Sequence, residues 1–183
     1  MTQLRFIGKI IFIVMAIAWG QNNPSSAQNQ TIAGWKTYEQ NAYKIQYPDS
    51  LELNTLEALG DGFILFFNLT SSDDKFRENI NLVIQDLRGE DVSLDDYVKI
   101  SENEVKTLIA NGTVIESARI KTDRSDFHKI IYIGKYGQFD LKFEQYYMVK
   151  NDIFYILTLT TEREQFDNYI GIGEQIMNSF EIK

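Results

Sequence analysis

From Thr113 to Thr161 apolar and polar residues follow the two-residue period of extended chain, each strand presenting alternate positions to opposite faces of a sheet. The pattern predicts strands at Thr113 to Thr122, Phe127 to Tyr136, Phe139 to Lys150 and Asp152 to Thr160, with turns at DRSD, around Gly137 and at KND. That is an antiparallel meander. In the third strand Phe139, Leu141, Phe143, Tyr147 and Val149 share one face, while Asp140, Lys142, Glu144, Tyr146, Met148 and Lys150 share the other. In the fourth, Ile153, Tyr155, Leu157 and Leu159 on one side and Phe154 and Ile156 on the other are all apolar, so this strand must be covered on both faces. Most aromatics of YYMVKNDIFYILTLTT then belong to the core. Tyr146 and Met148 are expected to be exceptions, on the more polar face near the sheet edge.

Earlier in the chain the same period predicts short strands at Trp35 to Tyr38 and Tyr43 to Tyr47, joined by EQNA and stopped by Pro48, which has no N–H to continue a ladder. The runs Phe63 to Leu69 and Asn79 to Leu87 add two more, separated by the polar SSDDKFREN. Two stretches carry a helical period instead. Ser93 caps the first, with Asp96 three residues on and Asp95 beside it at the positive end of the helix dipole. Leu94, Tyr97, Val98, Ser101, Val105, Leu108 and Ile109 form its narrow apolar face, and Asn111-Gly112 is expected to end it. Thr161 with Glu164 reads as a second capping box, followed by Phe166, Tyr169, Ile170, Gly173, Ile176, Met177 and Phe180 at helical spacing. Two amphipathic helices around a largely antiparallel sheet buried on both sides predict an α+β fold, a three-layer α/β/α sandwich.

The N-terminus changes the expected location. Arg5 and Lys9 precede the apolar run Ile10 to Trp19, and Ser25 and Ala27 supply the small residues of a cleavage site. Residues 1–27 are therefore expected to be a secretory signal peptide cut after Ala27, with 28–34 a short tether and 35–183 a single domain. A transmembrane anchor would need about 20 apolar residues, far more than this run. The mature chain is expected in the periplasm or outside the cell. Without cysteine there is neither a disulfide framework nor a lipid-modified N-terminal Cys. The 183 residues carry 18 basic and 26 acidic side chains, a formal net charge of −8, and cleavage would remove two basic residues and no acid. Such a surface repels phosphate backbones, so nucleic-acid binding is not expected, and no cluster of Lys and Arg offers attraction to anionic membranes.

The search for chemistry assigns no catalytic, cofactor-binding or metal-ligating residue. His128 is the only histidine, with Asp123 and Asp126 in the turn before it. These three could form a metal or acid/base cluster, or simply a turn followed by a strand histidine, and their spacing matches no recurring ligand pattern. The acidic pairs Asp73-Asp74, Glu90-Asp91 and Asp95-Asp96 lack the alternate oxygen ligands and central Gly of an EF-hand loop. Gly171-Ile172-Gly173 is too short for a nucleotide fingerprint and suits helix packing. The sequons at Asn68 and Asn111 matter only in a host that glycosylates them.

YKIQYPDSLEL, NINLVIQDL followed by SLDDYVKISENEVKTLI, KFEQYYMVKNDIFYILTLTT and the closing FDNYIGIGEQIMNSFEI resemble, in pattern and order, the PsbP-like superfamily. The resemblance spans about Tyr43 to Ile182 and rests on no invariant chemical residue. It implies an α/β/α sandwich and a non-enzymatic binding role, since members include extrinsic photosystem subunits, a Ran-binding nuclear-transport factor and bacterial exported or chaperone-like proteins. Those partners share no single site, so no functional residue is carried over. The N-terminal signal resembles bacterial secretion signals rather than a transit peptide, which points away from a photosystem role. The expectation is an exported, non-enzymatic accessory protein without a cofactor that engages an unknown protein partner. A carrier of a small apolar ligand is the alternative, with exposed aromatics near Tyr146 as its mark, and a hydrolase built on Asp123, Asp126 and His128 ranks third.

Overall fold

The computed structural model describes residues 34–55, 60–122 and 126–183. The expected signal peptide and nearly all of the tether lie outside the described residues, as does Asp123. Ten strands and two helices follow in order: β1 (Trp35–Glu39), β2 (Tyr43–Pro48), β3 (Glu52–Asn54), β4 (Phe63–Phe66), β5 (Asn79–Asp86), α1 (Leu94–Leu108), β6 (Ala110–Ile120), β7 (Phe127–Tyr136), β8 (Phe139–Lys150), β9 (Ile153–Glu162), α2 (Phe166–Asn178) and β10 (Glu181–Ile182). The strands form a seven-stranded sheet in the order β3-β4-β5-β9-β8-β7-β6 and a three-stranded sheet in the order β1-β2-β10. Every pairing is antiparallel, from β1 with β2 through β8 with β9. The architecture is thus α+β, with the meander β6 to β9 as the larger part of the main sheet.

Alternation divides the interior into two apolar clusters on opposite faces of β8 and β9. On one face Tyr146, Met148, Tyr155, Leu157 and Leu159 pack with Phe166, Ile176, Met177 and Phe180 of the C-terminal region and with Tyr43, Ile45 and Tyr47 of β2. On the other, Leu141, Phe143, Tyr147, Phe154 and Ile156 pack with Leu94, Tyr97, Val98 and Val105 of α1. Both faces of β8 and β9 are covered, as their composition demanded. Tyr146 and Met148, expected at a polar edge, are instead 3% and 4% exposed. The Tyr146 ring stacks on Phe127 at 4.2 Å, and β8 lies inside the sheet rather than at its margin. The opening aromatics are core throughout.

Helix ends show where local signals lose to pairing. Ser93 caps α1 as expected, its hydroxyl accepting from the Asp96 amide at 3.1 Å. The helix stops at Leu108, earlier than Asn111-Gly112, because Ile109 takes extended backbone and Asn111 the left-handed conformation, turning the chain directly into β6. Asn is one of the few non-glycine residues that enters this region readily. The capping box at Thr161 does not form. Thr161 is fully buried in β9 opposite Lys142, β9 continues to Glu162, and α2 starts from Gln165 without a side-chain cap. A ladder position in a filled sheet outweighs a cap contributing about 1 kcal/mol. Gly173 serves as expected: a Cβ there would come within 2.7 Å of Leu159 Cδ2.

The small sheet closes the chain on itself. Residues 181–182 pair with Tyr43 and Lys44 on the free side of β2, and the Lys183 amide donates to the Ala42 carbonyl at 2.9 Å. Its ammonium group donates to the Gln40 carbonyl at 2.6 Å and pairs with Glu39 at 2.7 Å. Neither β3 nor β10 has a counterpart among the predicted strands, since three and two residues are too few to show a period.

Candidate functional site

At the end of the main sheet where β8 begins and β9 finishes, three segments meet: the β7–β8 turn, the link from β9 into α2, and the loop between β4 and β5. The turn reverses at Gly137, whose positive φ suits glycine. The link is tied to the sheet by the Arg163 amide donating to the Asp140 carbonyl at 2.8 Å. The loop is organised by one carboxylate. Asp74 accepts from the Thr70 amide at 3.0 Å, the Thr70 hydroxyl at 2.9 Å and the Phe76 amide at 3.2 Å. Burial opposes charge on Asp74, but these three donors outweigh it and hold the carboxyl below its usual range. Behind the loop, Arg77 donates to the Phe67 carbonyl at 2.9 Å and pairs with Glu52 at 2.7 Å.

Two adjoining open clefts result. One, of about 520 Å³, is lined by Gln138, Phe139, Asp140, Glu162, Arg163, Glu164 and Gln165. The other, of about 250 Å³, is lined by Thr70, Ser71, Asp73, Asp74, Glu78, Glu162, Gln165 and Tyr169. Glu162 and Gln165 belong to both, so the two form one continuous surface. Its linings contain six carboxylates and a single cation, Arg163. The concentration of negative charge acts on the groups within it. Burial raises the carboxyl of Glu78, with Asp74 and Glu162 adding to the effect. Burial also raises Glu162, seconded by Asp74 and Glu164. The Tyr169 phenol is raised by burial and then by Glu78 and Asp74, while its ring meets Phe67 edge-on at 4.9 Å. Such a surface attracts ammonium and guanidinium groups, and the partly buried Tyr169 and Phe139 offer rings beside them.

Most of the residues singled out in the sequence fall elsewhere. His128 lies on the α1 side of β7, its Nε2 at 2.8 Å from the Ser117 hydroxyl. Its Nδ1 is buried without a hydrogen bond, and burial followed by the nearby Arg119 lowers the imidazole from its usual value. Asp126 is exposed at the start of that strand. Among the described residues, no group of three His, Cys, Asp or Glu side chains is placed to hold a metal ion. Asp95 pairs with Arg119 at 2.6 Å, and Asp96 serves the α1 cap. Glu90 closes a turn, its amide donating to the Leu87 carbonyl at 3.0 Å, and Asp91 follows at positive φ. Of the three acidic pairs, only Asp73-Asp74 reaches the cleft. Glu78, Glu162, Glu164 and Tyr169 were not anticipated there, because the cleft joins segments far apart in the chain.

No protein-family model matches the chain, and no curated protein matches it in sequence. Solved structures do match its fold. CyanoP, the cyanobacterial PsbP of Synechocystis, superposes with a TM-score of 0.60 at 14% identity over 87% of this chain and 98% of its own. PA94 of Pseudomonas aeruginosa, a protein of unknown function, gives 0.57 at 15% identity over 79% and 94%. LpqN of Mycobacterium tuberculosis, described as involved in cell envelope biogenesis, gives 0.51 at 9% identity over 86% and 99%. The fold is PsbP-like. At these identities the likeness concerns fold alone.

Proposed function

We propose that this chain is an exported, non-enzymatic accessory protein that binds a protein partner in the cell envelope through the acidic cleft. The observation that carries the reading is the cleft's composition: a continuous open surface of six carboxylates and one cation, suited to a partner segment rich in lysine and arginine. In this reading residues 1–27 are removed on export, residues 35–183 form one domain, and the helices and sheets stack as a three-layer α/β/α sandwich. The description of LpqN agrees with an envelope setting. The apolar-ligand alternative relied on exposed aromatics near Tyr146, and that residue is buried. No helix among the described residues is long and apolar enough to cross a membrane.

The test expresses the full-length chain in its source organism with an affinity tag beyond Lys183, and compares it with Asp73→Asn/Glu162→Gln/Glu164→Gln. Asp74 is left intact because it holds the loop. A partner retained in stoichiometric amount by the unmodified chain, lost from the triple variant and weakened by raising salt past about 0.15 M, supports the reading. Equal retention by both chains, or no retained protein at all, refutes it.

A further inference from the structure

Away from the cleft, one acid stands out by its surroundings. Glu144 of β8 is 0% exposed, and neither of its carboxylate oxygens makes a hydrogen bond of normal geometry. Its cross-strand partners are Ile131 on β7 and Leu159 on β9, and Leu159 is the residue against which Gly173 of α2 sits. Glu144 thus occupies the sheet face on which α2 packs, beside the residue that Gly173 meets. A buried charge of this kind is tolerated only if paired or neutral.

The charged groups around it favour neutrality. From α2, Glu174 opposes ionisation, as does Glu116 from β6. Lys129 of β7 favours it but already pairs with Glu116 at 3.0 Å. On its own strand the Tyr146 phenol favours the charged form, while the Lys142 ammonium lies over the Phe166 ring at 3.8 Å. On β9 the residues of that face, Leu157, Leu159 and Thr161, carry no charge.

We propose that α2 is seated on the sheet by a proton: with Glu144 neutral the helix rests on Leu159, and ionisation of that carboxyl displaces the contact so that water or Lys129 can reach the charge. Burial acts in the same direction, raising the Glu144 carboxyl to about 7. The protein therefore has a switch centred on neutral pH beneath a helix, although its one histidine lies on the opposite face. The first turns of α2 supply Tyr169 to the cleft. On the partner-binding reading above, the switch sets how the cleft meets its partner.

The experiment needs no partner, so its outcome is separable from that reading. The full-length chain, labelled with ¹³C at glutamate carboxyls and ¹⁵N at amides, is titrated by NMR from about pH 5 to pH 9, a range centred well above ordinary glutamate. The expected result is a Glu144 midpoint at about 7, with the Leu159, Gly173 and Glu174 amides following the same curve. In Glu144→Gln that amide transition disappears. Should that variant fail to fold, Glu174→Gln decides: removing the like charge lowers the midpoint, and the remaining α2 amides move with it. A Glu144 midpoint in the ordinary carboxylate range, α2 amides that ignore the titration, or a midpoint unmoved in Glu174→Gln overturns the proposal.

Discussion

Three glycines allow one substitution to be tested against three surroundings. At Gly112 an added Cβ would lie 1.8 Å from the Val105 carbonyl oxygen and 2.8 Å from its carbon, both main-chain atoms of a helix that cannot rotate away. Overpacking typically costs about 1–3 kcal/mol, and a collision with backbone belongs at the upper end, so Gly112→Ala is expected to lose about 3 kcal/mol. At Gly173 the obstacle is the tip of the Leu159 side chain at 2.7 Å, which can change rotamer. The helical preference for alanine returns up to about 1 kcal/mol there, leaving a net loss of roughly 1 kcal/mol. At Gly171, also in α2 and exposed, nothing lies within 4 Å, so alanine is expected to stabilise by about 0.5–1 kcal/mol. Urea denaturation followed by circular dichroism measures all three. With a slope of about 2 kcal/mol/M, Gly112→Ala lowers the midpoint by roughly 1.5 M and Gly171→Ala raises it by roughly 0.3–0.5 M. A Gly112→Ala midpoint within about 0.2 M of the unmodified chain, or a lower one for Gly171→Ala, would refute the packing argument at the α1–β6 junction or along α2 respectively.

Glu144 also predicts the pH dependence of global stability. Its carboxyl titrates at about 7 when folded against 4.5 ordinarily, so between these values the folded state holds a proton the unfolded chain has released. Stability from this group is full below about 4.5 and is lost as pH rises through about 7, by about 3 kcal/mol in all. Glu144→Gln removes that fall, and parallel pH profiles for the two proteins would contradict it. For the core reading of the aromatic strand, Tyr146→Ala should cost about 3–5 kcal/mol and Met148→Ala about 2–5 kcal/mol in urea midpoints, whereas a loss below about 1 kcal/mol would restore these residues to a surface.

How much of this was legible depended on length of pattern. β7 and β8 have the predicted bounds because ten or more residues of alternation leave little freedom, and a register slip would turn every side chain over. β3 and β10 escaped because no period fits into so few residues. Tyr146 and Met148 were misplaced for a different reason: Asp140, Lys142, Glu144 and Lys150 share their face, and averaging over the strand concealed that its middle is dry while its ends are wet. Glu144 itself sits in the dry part, which composition cannot show. Thr161 carried a genuine local motif, yet its pairing with Lys142 was decided by the rest of the sheet. The cleft was invisible for the same reason, since its carboxylates become neighbours only once the β4–β5 loop and the β9–α2 link are brought together.

The small sheet bears on when this protein can finish folding. β2 lies between β1 and residues 181–182, and Lys183 fastens that last strand to the Ala42 and Gln40 carbonyls and to Glu39. A chain in which those residues have not yet joined leaves one side of β2 unpaired, however completely the meander has formed. Completion of the small sheet therefore waits on residues 181–183, and a folding intermediate without that pairing displays an open strand edge to chaperones and proteases.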